Sequence, residues 1–137
     1  MSSWMASLIK LADLEVETLQ KRMRDIADRR SAVELVLESL AMEGREETQR
    51  ATLDASAGWS LVGFREGLKA RRAKAEADLK VCAMEEAGAR DALSRAFEEQ
   101  KKYEMLAETA RLAAARKVAK LDTAALGELA LRRTGTR

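Results

Sequence analysis

The chain has 137 residues, enough for one domain, and 47% of them are hydrophobic, 35% charged and 4% aromatic. With no proline and few aromatic residues, this composition is typical of long helices and excludes a β-sheet protein. The absence of histidine and the single cysteine exclude histidine-ligated metals, an internal disulfide and the usual nucleophile pairs, and the net charge of +2 is too balanced to make nucleic acid an obligatory partner. We therefore expect a protein that is not an enzyme, has no cofactor or metal, and is cytoplasmic, since no signal-peptide pattern or membrane-inserting stretch occurs.

Glycines that punctuate the chain predict where it turns. Gly58, Gly63 and Gly67 fall close together, whereas the other glycines are scattered. The sequence thus predicts helix 1 over about residues 4–57, with Ser3 as a candidate N-cap, a turn over about 58–63 and helix 2 over about 64–131. For residues 122–133, both a continued helix and a segment that folds back remain open.

Helix 1 carries a sustained heptad pattern, in which apolar residues follow one another at alternating steps of four and three. This seam consists of Met5, Ile9, Ala12, Val16, Leu19, Met23, Ile26, Arg30, Val33, Leu37 and Leu40, and only Arg30 is polar. Helix 2 has a weaker, smaller-residue seam: Leu79, Cys82, Glu86, Ala89, Leu93, Ala96, Gln100, Tyr103, Ala107, Ala110, Ala114, Lys117, Leu121 and Ala124.

The two seams predict the fold class, an all-α, antiparallel two-helix coiled-coil hairpin that forms a single domain. A turn near Gly58 makes the numbers of facing residues add up to about 116 to 120 and places Arg30 opposite Glu86. A cross-helix ion pair would then fix the register, and the alternative is an Arg30 that extends its charge into water. We expect such a hairpin to enclose no pocket of ligand size.

Apolar residues also occur outside the seams, at the end of the hairpin that holds both termini. Helix 1 has Trp4, Leu8, Leu11 and Leu14 there, and the outermost positions of helix 2 hold Met105, Leu112, Ala119 and Leu126. Burial of a large apolar side chain is worth about 1.5–3 kcal/mol, so this end should be covered by a partner's socket, by the C-terminal segment or by a second copy. The basic residues Arg111, Arg116 and Lys117 lie beside it, where they either are solvated or guide an acidic partner.

The turn carries a second group of apolar and basic residues. Trp59, Leu61, Val62 and Phe64 either plug the end of the coiled coil or dock a partner. The basic run from Lys69 to Lys74 follows, and its acidic neighbours favour a solvated face.

Three stretches resemble the FliJ family of flagellar type III export proteins, and the resemblance spans almost the whole chain. They are SLIKLADLEVETLQKRMRDI, EEQKKYEMLAE with Lys101, Glu104 and Leu106 at the family's K-x-x-E-x-L spacing, and the tail TAALGELALRR. The resemblance implies a cytoplasmic stalk at the flagellar base, a monomer when free, that inserts its terminal end into the ring of the export ATPase FliI. It also implies contact with the export gate protein FlhA, and export chaperones as further partners.

Under this resemblance the candidate residues fall into two sets. The ATPase set is Trp4, Leu8, Leu11, Leu14, Met105, Leu112, Arg111, Arg116 and Lys117. The gate set is Trp59, Leu61, Phe64, Leu68, Arg71 and Arg72. The alternative from another class of protein is a self-associating structural coiled coil, in which two hairpins form a four-helix bundle.

Overall fold

The computed structural model describes residues 2–54, 56 and 58–135, and these residues form two long helices that pack against each other. Helix α1 spans Ser2–Leu53 and helix α2 spans Gly58–Gly135. The predicted all-α helical hairpin is confirmed, and no strand occurs in the described part of the chain. Because α1 begins at Ser2, Ser3 lies inside its first turn rather than at the N-cap. No stretch of either helix, as far as it is described, is long and apolar enough to cross a membrane.

The turn lies earlier than the glycines predicted. The helices are separated between Leu53 and Gly58, so Gly58, Gly63 and Gly67 belong to α2. The Asp54 carboxylate accepts hydrogen bonds from the backbone amide of Ser56 at 3.0 Å and from its hydroxyl at 2.8 Å. A short polar side chain that accepts a hydrogen bond from the backbone two residues later stabilises a turn. The chain therefore turns at Asp54 and not at the glycines, although glycine has a low helix propensity.

The two hydrogen bonds from Ser56 hold the pKa of the Asp54 carboxyl below its ordinary value. A carboxyl whose folded pKa is lowered contributes stability above its unfolded pKa, and this contribution is lost as the pH falls through the folded pKa. We therefore expect the melting temperatures of the native chain and of Asp54→Asn to differ at pH 7. They should converge as the pH falls below the pKa of the Asp54 carboxyl in the folded chain. A difference that stays constant down to pH 2 would contradict this role for the carboxylate.

The hairpin divides into two compact units. The turn unit is Glu17–Ser94, and the terminal unit comprises the chain up to Val16 together with the chain from Arg95 onward.

In the turn unit, large side chains of α1 face small ones of α2. Leu19, Ile26 and Leu40 are buried on α1, and Ala75, Cys82 and Ala89 on α2. The whole predicted seam of helix 1, from Met5 to Leu40, is buried or half-buried, so that prediction is confirmed. Small residues on one side of the interface allow the two backbones to approach closely.

Ion pairs fix the register of the turn unit. The Arg30 guanidinium donates to the Glu86 carboxylate at 2.5 Å, as predicted, and Glu86 also accepts from Arg90 at 3.0 Å. Arg29 donates to Glu85 alongside, and the hydrogen bond and charge of Glu85 raise the pKa of the Arg29 guanidinium. The side chain of Glu86 is 18% exposed. A shift of one helix along the other would therefore leave the charges of Arg30 and Glu86 partly buried without the opposite charge beside them.

In the terminal unit, Val16 and Ala96 are buried and the Gln100 side-chain amide donates to Asp13 at 2.7 Å. The helix 2 seam is buried or half-buried from Leu79 to Ala107, but the part predicted beyond it is wrong: the last five seam positions, Ala110, Ala114, Lys117, Leu121 and Ala124, are exposed. Lys117, Leu121 and Ala124 are exposed because α1 begins at Ser2, which the register places beside about residue 114 of α2. Ala110 and Ala114 lie beside α1 but line a groove that is open to solvent. Residues 122–133 do not fold back but continue α2.

Candidate functional site

The α1 side of the terminal unit presents large apolar side chains to solvent. Trp4 is 52% exposed, Leu11 62% and Leu14 51%, whereas Leu8 is half-buried. Three of the four residues predicted on this outer stripe therefore lie on an accessible surface. On α2, Met105 and Leu112 are exposed as well.

An apolar groove of about 470 Å³ lies between the two helices at this end. It exists because three of the four α2 residues that line it, beside Trp4 and Ile9 of α1, are alanines. Its walls are formed by Trp4, Met5, Ala6, Ile9, Ala107, Ala110, Arg111 and Ala114. The expectation that the hairpin has no pocket of ligand size is therefore wrong, because the alanine-rich seam of α2 leaves space that a uniform leucine seam would fill.

The basic residues beside the groove differ in their partners. Arg111 donates two hydrogen bonds to Glu108, at 3.1 and 2.7 Å, which raise the pKa of Arg111 and lower that of Glu108. Arg116 and Lys117 are exposed and form no ion pair with any residue in the described part of the chain. A partner would therefore meet the free charges at Arg116 and Lys117, while Arg111 is held at the rim of the groove.

Residues 115–135 form an overhang, a stretch of α2 that extends past the first residue of α1. Every residue of the overhang is exposed. Its large apolar residues are Val118 (57% exposed), Leu121 (62%), Leu126 (67%), Leu129 (59%) and Leu131 (73%). Ala114, Val118, Leu121, Ala125 and Leu129 recur at steps of four and three and continue the face that packs on α1. Val118 and Leu129 are absent from the predicted site, although this spacing identifies them.

The predicted residues at the turn do not form one exposed surface. Trp59 is 91% exposed and is not a plug of the coiled coil, whereas Leu61, Phe64 and Leu68 are half-buried against α1. Arg71 is bound to Glu43 at 3.3 Å. Among the six, the side chains that project into solvent are therefore Trp59, Arg71 and Arg72.

An apolar surface that sequence reasoning missed lies on one side of the turn unit. Val36 and Val81 are each 50% exposed, and Met84 is 75% exposed. Counted from Ile26 on α1 and from Ala89 on α2, Val36 and Val81 are each rotated by about 80° in the same sense. In an antiparallel pair, equal rotations from the contact line place residues on the same side, and the register sets Val36 level with Val81. Counted in the same way, Met84 is rotated by about 140° in this sense and lies at the outer edge of that side. We call the surface formed by Val36, Val81 and Met84 the lateral face.

The described residues contain no group of three side chains that could hold a metal ion. Fold and surfaces together define a two-helix coiled-coil protein that presents apolar side chains on its outer faces at both units. Two proteins from strains of Caulobacter vibrioides, each named Flagellar FliJ protein, are 49% identical to the chain over 133 residues, which is 97% of this chain and 96% of each relative. The chain belongs to the flagellar FliJ family. No family model matches it, and no solved structure matches it.

Proposed function

We propose that this protein is a noncatalytic stalk of the flagellar type III export apparatus, which inserts its terminal end into the ring of the export ATPase FliI and links that ring to the export gate. Membership of the flagellar FliJ family supports the setting. The observation that carries the proposal is the apolar surface of the terminal unit, which spans both helices and continues along the overhang.

The terminal surface has the properties that a ring-shaped socket requires. Leu11 and Leu112 are 62% and 41% exposed and lie on different helices, so a partner that covers both must contact α1 and α2. Burial of each large apolar side chain contributes about 1.5–3 kcal/mol, and a collar that surrounds the helices gains this contribution at several positions. Five basic and two acidic residues between positions 116 and 133 favour acidic groups on the inner wall of the ring.

The gate protein FlhA, in this proposal, contacts the lateral face. Of the gate set that the resemblance implied, Leu61, Phe64 and Leu68 pack toward α1, so they have little area to offer a partner. Val36 and Met84 present apolar area on one side of the hairpin. The complex would lie at the cytoplasmic face of the flagellar base, with export chaperones as further partners.

The lateral face also favours a second candidate function, self-association into a four-helix bundle. Two copies that pack these faces together would each cover Val36, Val81 and Met84. Mass measurement of the purified chain at tens of micromolar separates the candidates: a monomer agrees with the stalk, and a tight dimer that Met84→Asp dissociates agrees with the bundle.

Truncation of the overhang tests the stalk. A chain that ends at Arg116 should keep the unfolding midpoint of the full chain, because every residue from Glu108 to Gly135 is exposed. It should lose most of its stimulation of the export ATPase, measured as phosphate release with purified FliI. Undiminished stimulation by the truncated chain would contradict insertion of the overhang.

A further inference from the structure

Three arginines line one groove of the turn unit. The groove has a volume of about 460 Å³ and is bordered by both helices. Arg45 of α1 and Arg65 and Arg72 of α2 form its charged rim, and Thr48 and Gln49 add a hydroxyl and an amide. Its other walls are Leu40, Ala41, Gly44 and Leu68, and no acidic residue is among its lining residues.

Glu46 and Glu66, which follow Arg45 and Arg65 directly in the sequence, do not line the groove, since adjacent residues of a helix do not face each other, and two further carboxylates close by are paired with other arginines. Glu43 binds Arg71 at 3.3 Å, and Glu47 binds Arg50 at 3.3 Å. Arg45, Arg65 and Arg72 form no ion pair with any residue in the described ranges. Three exposed guanidinium groups around one groove repel one another, so a ligand that brings negative charge is favoured there.

Gly44, one of the residues that line the groove, lies in close contact with Leu68. A Cβ atom built at this position would lie 2.9 Å from Leu68 Cδ2, so the absence of a side chain lets Leu68 approach the α1 backbone. Leu40, Ala41 and Leu68 then form an apolar floor below the arginines. A ligand that fits the groove therefore combines apolar groups at its centre with acidic groups at its edge.

The spacing of the arginines matches a helix. Arg65 and Arg72 are seven residues apart, which is about 10.5 Å along α2, and Leu68 lies between them. This is the arrangement in which charged residues flank an apolar position of a helix–helix interface. Acidic residues at heptad spacing on a docked helix would meet both arginines, while its apolar residues would pack on Leu68 and Ala41, which are half-buried.

The geometry points to this groove as a docking site for an acidic amphipathic helix of a protein partner. The site is independent of the stalk proposal, because it lies on neither the terminal surface nor the lateral face. Leu68 and Arg72, which the resemblance assigned to the gate, here serve as floor and rim of the groove. The arginines select the charge of the helix, and the apolar floor selects its amphipathic character.

Titration of the full chain with a synthetic helix tests the site. The probe is a peptide of about 20 residues with leucine at the core positions of each heptad and glutamate at the flanking ones. We expect saturable binding by calorimetry, and the largest amide shifts in nuclear magnetic resonance spectra at Gly44, Thr48 and Leu68. The variant with Arg45→Gln, Arg65→Gln and Arg72→Gln should bind about tenfold more weakly.

A matched variant removes the same amount of charge elsewhere. Arg24→Gln, Lys80→Gln and Lys120→Gln lie outside the groove lining and should leave the affinity within about twofold. Equal loss in both triple variants would overturn the site in favour of long-range attraction. Equal binding of a peptide with lysine in place of glutamate, or displacement of the acidic peptide by low concentrations of inorganic tripolyphosphate, would overturn the acidic helix as the ligand.

Discussion

Replacement of Ile26 by alanine should lower the free energy of unfolding by about 2–5 kcal/mol, the largest effect on stability that we expect from a single truncation. Ile26 is 1% exposed, and the register places it opposite Ala89, which is also 1% exposed. Since Ala89 has no further atoms with which to fill the space, the cavity left by Ile26→Ala closes poorly. Urea denaturation monitored by circular dichroism measures the change.

Leu35→Ala is the matched control. Leu35 is 65% exposed on the same helix, so its truncation removes little buried area and should change the unfolding free energy by less than about 0.5 kcal/mol. If the two truncations were equally destabilising, the contact line of the turn unit would not be the one described.

A crossed pair of double variants should separate the two proposed partners. Leu11→Asp with Leu112→Asp places charge on the exposed terminal surface and should abolish most stimulation of the export ATPase, while binding to the gate protein's cytoplasmic domain persists. Val36→Asp with Met84→Asp should do the reverse. We chose Leu11 over Leu8 because Leu8 is half-buried, and a charge there would disturb packing as well as docking.

Both double variants should keep native helicity. Cells that carry either variant should swarm poorly, since each variant removes one end of the link between the export ATPase and the export gate. The decisive measurements are phosphate release by the ATPase and pull-down of the gate domain, made on the same preparations. Loss of both activities in either variant would indicate damage to the fold or a shared surface. Retention of ATPase stimulation by Leu11→Asp with Leu112→Asp would place the contact elsewhere on the chain.

The α1 interface could be predicted from sequence because its large residues repeat at heptad spacing, and the ion pair of Arg30 with Glu86 followed because each interrupts its seam. The predicted turn lies too late in the chain because the prediction rested on the glycines. The carboxylate of Asp54 stabilises the turn that the structure shows. The α2 seam was extended too far: the register itself leaves Leu121 without an α1 residue opposite. The lateral face and the arginine groove depend on which residues of different helices share a side, which no pattern within one helix reveals.

The overhang has a thermodynamic consequence for any complex it enters. Most of the stability of a helix in a protein comes from packing against other elements, and residues 115–135 are all exposed, so little packing supports them. Amide protons should therefore exchange progressively faster from Ala107 toward Gly135, and a partner that binds this segment must also complete its ordering. Part of the binding affinity is thus set by the helix propensity of the segment itself, and Gly127, which lies in open space, is a position where that contribution is low.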